Sequence, residues 1–243
     1  PLESSFQETA VLLNSRRENA PNFRPLAVLP FLYHDVSGDA VQELAFMLAT
    51  AVFHIRQLRQ HDFNVHDIAT ATQAAFGISG DIFINIAKLR AARKLWAQAI
   101  SAFDGNQAAQ KLNIVAFTST QNKSKQLPHT NLLRLTAETF AAAVGGAEVI
   151  FTQRFDQNAA DTSTEFARRL SDNIQHILQQ EVGLTNLVDP AGGAYYVEYL
   201  TDALAQKAWS LFQQIEADGG MLAAIEKGLV QKIVSDSDAQ RKA

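Results

Sequence analysis

The sequence contains no cysteine among its 243 residues. Disulfide bonds, cysteine-based zinc sites and thiol nucleophiles are therefore excluded. No apolar run approaches the ~18 residues that cross a bilayer, and the first residues lack the charged, apolar and small-residue order of a signal peptide. We therefore expect a cytoplasmic protein that does not associate with membranes.

Excess charge of either sign is also missing, since the formal net charge is −4 and the lysines and arginines are scattered along the chain. Proteins that bind phosphate backbones present a concentrated basic surface, so we expect no nucleic-acid partner. The phosphate loop, the GxGxxG fingerprint, and the HExxH and GxSxG motifs are all absent. The corresponding nucleotide-binding, zinc-protease and hydrolase sites are not predicted.

An ordinary globular composition is present, with 47% hydrophobic and 19% charged residues. The length suits one large domain, and we predict a single domain over residues 1–243. Short apolar segments alternate with amphipathic ones that have helical periodicity. The clearest predicted strands are 26–33, 113–120 and 147–153, and the predicted helices are 39–58, 81–103, 132–144, 163–180 and 202–216.

This alternation predicts a parallel sheet covered by helices, either a barrel or a doubly wound sheet. We count four or five strands, whereas a closed barrel requires eight. A barrel would therefore be incomplete, and its uncovered edge would need an N-terminal segment or another chain.

One histidine occupies a position that is typical of barrel active sites. His34 follows Tyr33 at the carboxyl end of the first predicted strand, where barrel enzymes place functional groups. We consider it a candidate ligand contact. Asp39 with Gln42 has the spacing of a capping box and predicts the start of the next helix.

A basic cluster lies on the second long predicted helix, at Lys88, Arg90, Arg93 and Lys94. We interpret it as a solvated or interface face rather than a catalytic one. A surface for a partner chain is expected either around Trp96 on that helix or at the Tyr195-Tyr196 turn.

Several segments, in order along the chain, carry a resemblance to a known family. They are Tyr33-His34, Gly38-Asp39-Ala40, Gln42 to Phe46, Ala87 to Trp96, Pro128, Asn131 to Arg134, Gly145-Gly146, Phe155-Asp156, Ala167 to Arg169, Asn173, Gln175, Gln180-Glu181 and Leu187 to Glu198. Together they resemble the acyl-CoA-binding barrel of methylmalonyl-CoA mutases from about residue 24 to 228.

The resemblance implies the carboxyl-terminal part of a (β/α)8 TIM-type barrel, with four or five βα units over 24–228. Residues 1–23 would then be a lead-in and residues 229–243 a polar tail. No cobalamin-binding domain is expected, because its Asp-x-His-x-x-Gly motif is absent.

The chain departs from the family pattern at the strand that carries a histidine, any residue, glutamine, threonine and serine in catalytic members. The sequence there is Val115-Ala116-Phe117-Thr118-Ser119. Alternate residues share a strand face, so Val115, Phe117 and Ser119 should point the same way, which the resemblance places inside the barrel. The resemblance also places, in the segment that matches Ala71-Thr72-Gln73-Ala74-Ala75, the arginine with which catalytic members bind the substrate carboxylate, and this chain has no arginine there.

These departures predict no catalytic, cofactor-binding or metal-binding residue in this chain. The former substrate-pocket positions would be Tyr33, His34, Ala71, Val115, Phe117 and Ser119. The pattern is similar to the small, non-catalytic subunit of heterodimeric mutases, in which the catalytic partner holds adenosylcobalamin.

Two alternatives remain open. One is an active acyl-CoA mutase with altered substrate, in which His34 or another group replaces the missing donor. The other is an unrelated α/β barrel protein that shares short motifs.

Overall fold

A four-stranded parallel sheet forms the centre of the protein in a computed structural model that describes residues 2–158 and 165–242. The strands are β1 (Leu26–Val28), β2 (Thr72–Ile78), β3 (Asn113–Thr118) and β4 (Val149–Phe151). They lie side by side in chain order, and every neighbouring pair is parallel. Doubly wound sheets reverse their strand order at a switch point, whereas barrels do not. The fold is therefore α/β and matches part of a (β/α) barrel.

Ten helices are described around this sheet. They are α1 (Leu2–Asn19), α2 (Phe31–Asp35), α3 (Ala40–Arg59), α4 (Val65–Thr70), α5 (Ile82–Ala102), α6 (Asn131–Val144), α7 (Glu165–Gln180), α8 (Tyr195–Ala217), α9 (Gly220–Glu226) and α10 (Leu229–Lys242). Short 3-10 turns occupy Pro128–Thr130 and Leu184–Asn186. No helix in the described ranges is long and apolar enough to cross a membrane.

The predicted helix starts are confirmed where a side chain caps them. Asp39 Oδ1 accepts from the backbone N–H of Gln42 at 2.8 Å, and Gln42 Oε1 accepts from the backbone N–H of Asp39 at 3.2 Å. This reciprocal pair is the predicted capping box. Asp81 caps α5 with a single bond, in which its Oδ1 accepts from the backbone N–H of Ile84 at 3.1 Å.

The two faces of the sheet have different surroundings. Ile114 and Ala116 of β3 point toward the helices and are fully buried in the main hydrophobic core. Val115 and Phe117 alternate with them and therefore point to the opposite face. In a complete barrel this opposite face is the interior.

The first predicted strand is wrong over its second half. β1 ends at Val28, and α2 begins at Phe31 directly after Pro30. Proline suits a helix start because its φ is fixed near −65° and its missing N–H would be unpaired there, and Pro30 has a φ of −59°. His34 therefore lies on a short helix after β1 rather than at the end of a strand.

The segment predicted as a polar tail over residues 229–243 contains a helix, α10, at Leu229–Lys242. Val230 and Val234 are spaced one turn apart and are both buried in the main core. The backbone carbonyl of Ile233 accepts from Gln42 Nε2 at 3.2 Å, which ties α10 to α3. The predicted start of the fourth helix at Ser163 lies outside the described residues.

Candidate functional site

A cleft of about 520 Å³ opens at the carboxyl ends of β2 and β3. His34 from α2, Glu43 from α3, Lys88 from α5, and Ser79 and Ser119 from the segments after the two strands contribute to its lining. Functional groups of parallel α/β folds collect at this end of the sheet. The cleft is therefore the candidate site.

Gly77 presents two backbone groups where no neighbouring strand remains. The N–H of Ser119 donates to the carbonyl of Ile78 at 2.9 Å, so Ile78 faces β3 and the preceding residue faces the side of β1. β1 has already ended at Val28. Buried peptide groups require partners, so other groups must pair with Gly77.

Glu43 and Lys88 supply these partners. Glu43 Oε2 accepts from the N–H of Gly77 at 3.2 Å, and Lys88 Nζ donates to the carbonyl of Gly77. The two side chains also bond each other, with Lys88 Nζ 2.6 Å from Glu43 Oε1. A buried ion pair thus takes the place of a strand at this edge of the sheet.

The pair is almost completely withdrawn from solvent, with side-chain exposures of 2% for Lys88 and 1% for Glu43. Burial by itself raises the pKa of a carboxyl group, but the Lys88 ammonium and the hydrogen bond and charge of His34 outweigh it. The pKa of Glu43 is therefore held below its ordinary value, and the carboxylate is ionised at neutral pH.

His34 is the residue that joins this pair to the cleft. Its Nε2 lies 2.9 Å from Ser119 Oγ, and its Nδ1 lies 3.5 Å from Glu43 Oε1. Gln121 Nε2 donates to the backbone carbonyl of His34 at 2.5 Å. The imidazole is thus held at both ring nitrogens, and Ser119, His34, Glu43 and Lys88 form one connected polar chain.

A second buried ion pair anchors the loop after β3. Lys123 Nζ lies 2.7 Å from both carboxylate oxygens of Glu138 on α6, and Asn122 Nδ2 donates to the same carboxylate at 2.7 Å. Burial raises the pKa of Glu138 and lowers the pKa of Lys123. The anchor fixes the segment that carries Ser119 over the cleft.

The interior face of the sheet beside the cleft is apolar. Phe117 stacks on Phe151 with ring centroids 4.8 Å apart and planes 10° apart, and its other neighbour is Phe31 at 4.8 Å. Val115 lies two residues earlier on the same face, in register with Val149 of β4. Phe151 remains 52% exposed whereas Val115 is 7% exposed, so this face is uncovered along β4.

The structure brings only some of the predicted pocket positions together. His34 and Ser119 are in direct contact, and Val115 and Phe117 share their side of the sheet. Tyr33 turns away and packs on Phe46 at 4.6 Å. Ala71 caps α4 just before β2 begins, at the opposite end of that strand from the cleft.

Sequence reasoning missed Glu43 and Gly77 and misplaced Lys88. The prediction of a solvated face is wrong for Lys88, which is buried at positions i−4 and i−8 from the buried Ala92 and Trp96. This helical spacing indicates the buried side of α5, whereas the charge of a lysine favours a solvated position. Trp96 is 1% exposed and donates to Ala109 O at 3.0 Å, so the partner surface expected around it is also wrong.

The remaining basic residues of α5 lie nearer the surface, as predicted. Arg90 Nη2 is 2.6 Å from Glu198 Oε1, and the same guanidinium is bonded to Asp189. Lys94 pairs with Asp202 at 2.6 Å with both side chains more than half exposed. These contacts fasten α5 to α8 and to the loop before it.

The fold and the cleft define the class as part of a parallel α/β barrel with a candidate site at the carboxyl ends of its strands. A family model described as methylmalonyl-CoA mutase matches residues 1–243. The chain belongs to the methylmalonyl-CoA mutase family.

Named relatives include both subunit types. The chain is 35% identical over 244 residues to a methylmalonyl-CoA mutase of Rhizobium meliloti (strain 1021), covering 100% of this chain and 34% of that protein. It is 37% identical over 239 residues to a methylmalonyl-CoA mutase small subunit of Streptomyces virginiae, covering 98% of this chain and 38% of that protein.

A methylmalonyl-CoA mutase large subunit of Propionibacterium freudenreichii subsp. shermanii is 34% identical over 244 residues, covering 100% of this chain and 33% of that protein. The chain thus spans about a third of the length of these relatives, from 33% to 38%.

Proposed function

We propose that this chain forms part of the barrel of an adenosylcobalamin-dependent methylmalonyl-CoA mutase, which interconverts methylmalonyl-CoA and succinyl-CoA, and that it serves as a non-catalytic, small-subunit-like component. The observation that carries this role is the apolar interior face at Val115 and Phe117. Small-subunit relatives, such as that of Streptomyces virginiae, support it.

The chemical reason is the loss of hydrogen-bonding side chains. Valine has no donor or acceptor, and the Phe117 ring is engaged with Phe31 and Phe151. Removing one preorganised donor from a site that stabilises developing charge typically lowers the rate by ~10²–10³. A face packed with aromatic rings also leaves less room for a pantetheine chain.

The described residues that line the cleft do not fit adenosylcobalamin. Both ring nitrogens of His34 are engaged, by Ser119 and Glu43, and the described part of the cleft lining contains no second histidine. We propose that the cofactor is bound by a catalytic partner.

The partner is proposed to be a catalytic mutase subunit in a cytoplasmic heterodimer, with self-association as the other way to cover the open sheet. Val149 is 45% exposed and Phe151 is 52% exposed on the interior face. The Tyr195-Tyr196 turn is a further exposed apolar surface, at 86% and 54% exposure. Exposed apolar surface of this kind is typical of an interface.

A second candidate function is favoured by the contacts of His34. An acyl-CoA site with an altered donor would need an imidazole at the carboxyl ends of the strands, beside an open cleft, and His34 meets this description. In this role the Ser119 hydroxyl would give up its contact with His34 Nε2, which would instead donate to the carbonyl of an acyl thioester. The chain would then bind a CoA ester without its catalytic partner.

Calorimetric titration of the purified full chain with propionyl-CoA separates the two candidates. The non-catalytic role predicts no binding heat. Saturable binding that is lost in His34→Gln and retained in His129→Gln, an exposed loop histidine, would support the second candidate and contradict the first.

A further inference from the structure

Both edges of the sheet expose side chains on the face that lines a barrel interior. On β1, Ala27 is exposed between two buried neighbours. On β4, Val149 and Phe151 are 45% and 52% exposed. Between the edges, Val115 of β3 is only 7% exposed. The interior face is thus covered in the middle and open on both sides, so whatever completes it must reach both edges.

The number and direction of the strands fit a second copy of the chain. Four parallel strands are half of the eight in a closed barrel. A half-turn about the barrel axis carries four strands onto the other four positions without reversing any of them. β4 of each copy then lies parallel to β1 of the other. These two β4–β1 contacts, called the seams here, leave no sheet edge unpaired.

The register of the sheet fits the stagger that closure demands. Barrels of this class have eight strands and a shear of eight residues, so each half must supply a stagger of about four residues. Ala27 is aligned through Gln73 with Asn113 of β3. Phe151 is aligned with Phe117, which comes four residues after Asn113. The required stagger therefore brings Ala27 of the second copy opposite Phe151.

Only one direction of stagger places a strand on both sides of each seam. A shift of the same size in the other direction would set β4 against the segment that forms α2, Phe31–Asp35, which is helical. The first direction sets β4 against residues 25–27, which overlap β1. The register is therefore fixed by where β1 ends.

The same register brings two opposite charges together. Arg24 precedes Ala27 by three residues, and Glu148 precedes Phe151 by three. Neither forms an ion pair within the described part of the chain. Arg24 Nη1 donates to the carbonyl of Thr70 at 2.5 Å, and Glu148 is exposed. Each seam would thus join a cation of one copy to a carboxylate of the other.

We propose that two copies of this chain close an eight-stranded parallel barrel about a two-fold axis, with Phe151 of each copy opposite Ala27 of the other. The inference deepens one part of the proposed function, the self-association that covers the open sheet. It does not depend on the non-catalytic role, which turnover assays test separately.

Disulfide trapping tests the seams, and the absence of cysteine from the sequence leaves no background thiols. Full-length Ala27→Cys and Phe151→Cys chains are mixed in denaturant, refolded together and oxidised with copper phenanthroline. Neighbouring strands lie about 4.8 Å apart, which is within the Cα separation of about 4.4–6.8 Å that a disulfide spans. The mixture should give a covalent dimer at a yield at least about tenfold above that of either variant alone, because each seam joins different edges.

Leu133→Cys is the matched control, since Leu133 on α6 is 76% exposed and lies away from both edges. Its mixture with Ala27→Cys should give no covalent dimer above background. A chain that stays monomeric in sedimentation, or covalent dimers formed equally well by Phe151→Cys alone or with Leu133→Cys, would overturn the closed barrel.

Charge reversal tests the register without altering the apolar face. Arg24→Glu or Glu148→Arg alone should raise the dissociation constant of the dimer about threefold or more, because each seam then places like charges together. The Arg24→Glu, Glu148→Arg double variant restores opposite charges at both seams and should recover wild-type affinity in sedimentation equilibrium. Single variants with unchanged affinity, or a double variant as weak as the two single losses combined, would overturn the register.

Discussion

His34 occupies the space that a side chain at Gly77 would need. A Cβ placed at position 77 would lie 2.4 Å from Cγ and from Cδ2 of the imidazole. The backbone of Gly77 is at the same time bonded to Glu43 and Lys88. Gly77 therefore leaves room for the imidazole of His34 and pairs through its backbone with the buried ion pair.

Gly77→Ala should destabilise the protein by about 1–3 kcal/mol, because the methyl group must displace the imidazole from its seat. Urea denaturation gives the change in unfolding free energy. Gly80→Ala is the matched control, since its nearest neighbour would be Asn122 Nδ2 at 3.5 Å, an ordinary contact. Equal losses of unfolding free energy in the two variants would show that a methyl group at position 77 does not clash with His34.

Neither Gly77 nor its partners could be identified from the sequence alone, and β2, the strand that carries Gly77, was not predicted either. The apolar segments and capping signals predicted β3, β4, α3, α5 and α6 to within a few residues, because strand and helix periodicities are local properties. The last long helix, α8, begins at Tyr195, well before its predicted start at residue 202. Pairing of Gly77 with Glu43 and Lys88 depends on where β1 stops, and that is decided by Pro30. Contacts between residues far apart in the chain do not produce a periodic pattern in the sequence.

Lys88 shows a second limit of sequence reasoning. Its spacing from Ala92 and Trp96 placed it on the buried face of α5, but a lysine is buried only when a partner is available, and Glu43 lies 45 positions away. The family resemblance, in contrast, identified His34 and Ser119 as neighbours of one site although they are 85 positions apart.

Removing one member of the Glu43–Lys88 pair should be costly. Glu43→Gln or Lys88→Met alone should destabilise the protein by about 3–5 kcal/mol, since either leaves an uncompensated buried charge, whereas the double variant should recover much of the loss. A double-mutant cycle in urea measures the coupling.

The exposed Lys94–Asp202 pair is the comparison for this cycle, because both side chains are more than half exposed. Its coupling should be below about 1 kcal/mol. Coupling energies of similar size in both cycles would mean that burial does not strengthen the Glu43–Lys88 interaction.

The lowered pKa of Glu43 gives the protein a specific acid sensitivity. Its stabilisation is fully present above the unfolded-state pKa of about 4.3 and is lost as pH falls through the lower folded-state pKa. The Glu43→Gln, Lys88→Met double variant lacks this component. Its unfolding free energy should therefore fall less steeply than that of wild type below about pH 4.3. Urea titrations across this pH range measure the difference. If the unfolding free energies of both proteins fall in parallel with pH, Glu43 does not make the proposed contribution.

The uncovered interior face should make the isolated chain associate. Phe151→Lys places a charge on β4, at the exposed edge of this apolar face, and should shift sedimentation profiles toward the monomer. Leu133→Lys changes a residue of α6 that is 76% exposed and lies away from the sheet face. If both variants reduce association equally, the interior face is not the contact surface.

Turnover of methylmalonyl-CoA tests the proposed non-catalytic role most directly. The purified full chain is assayed with adenosylcobalamin, first alone and then mixed with a catalytic mutase subunit, and succinyl-CoA is measured. We predict no conversion by the chain alone and conversion by the mixture. Succinyl-CoA formed by the chain without its partner would contradict the role assigned to Val115 and Phe117.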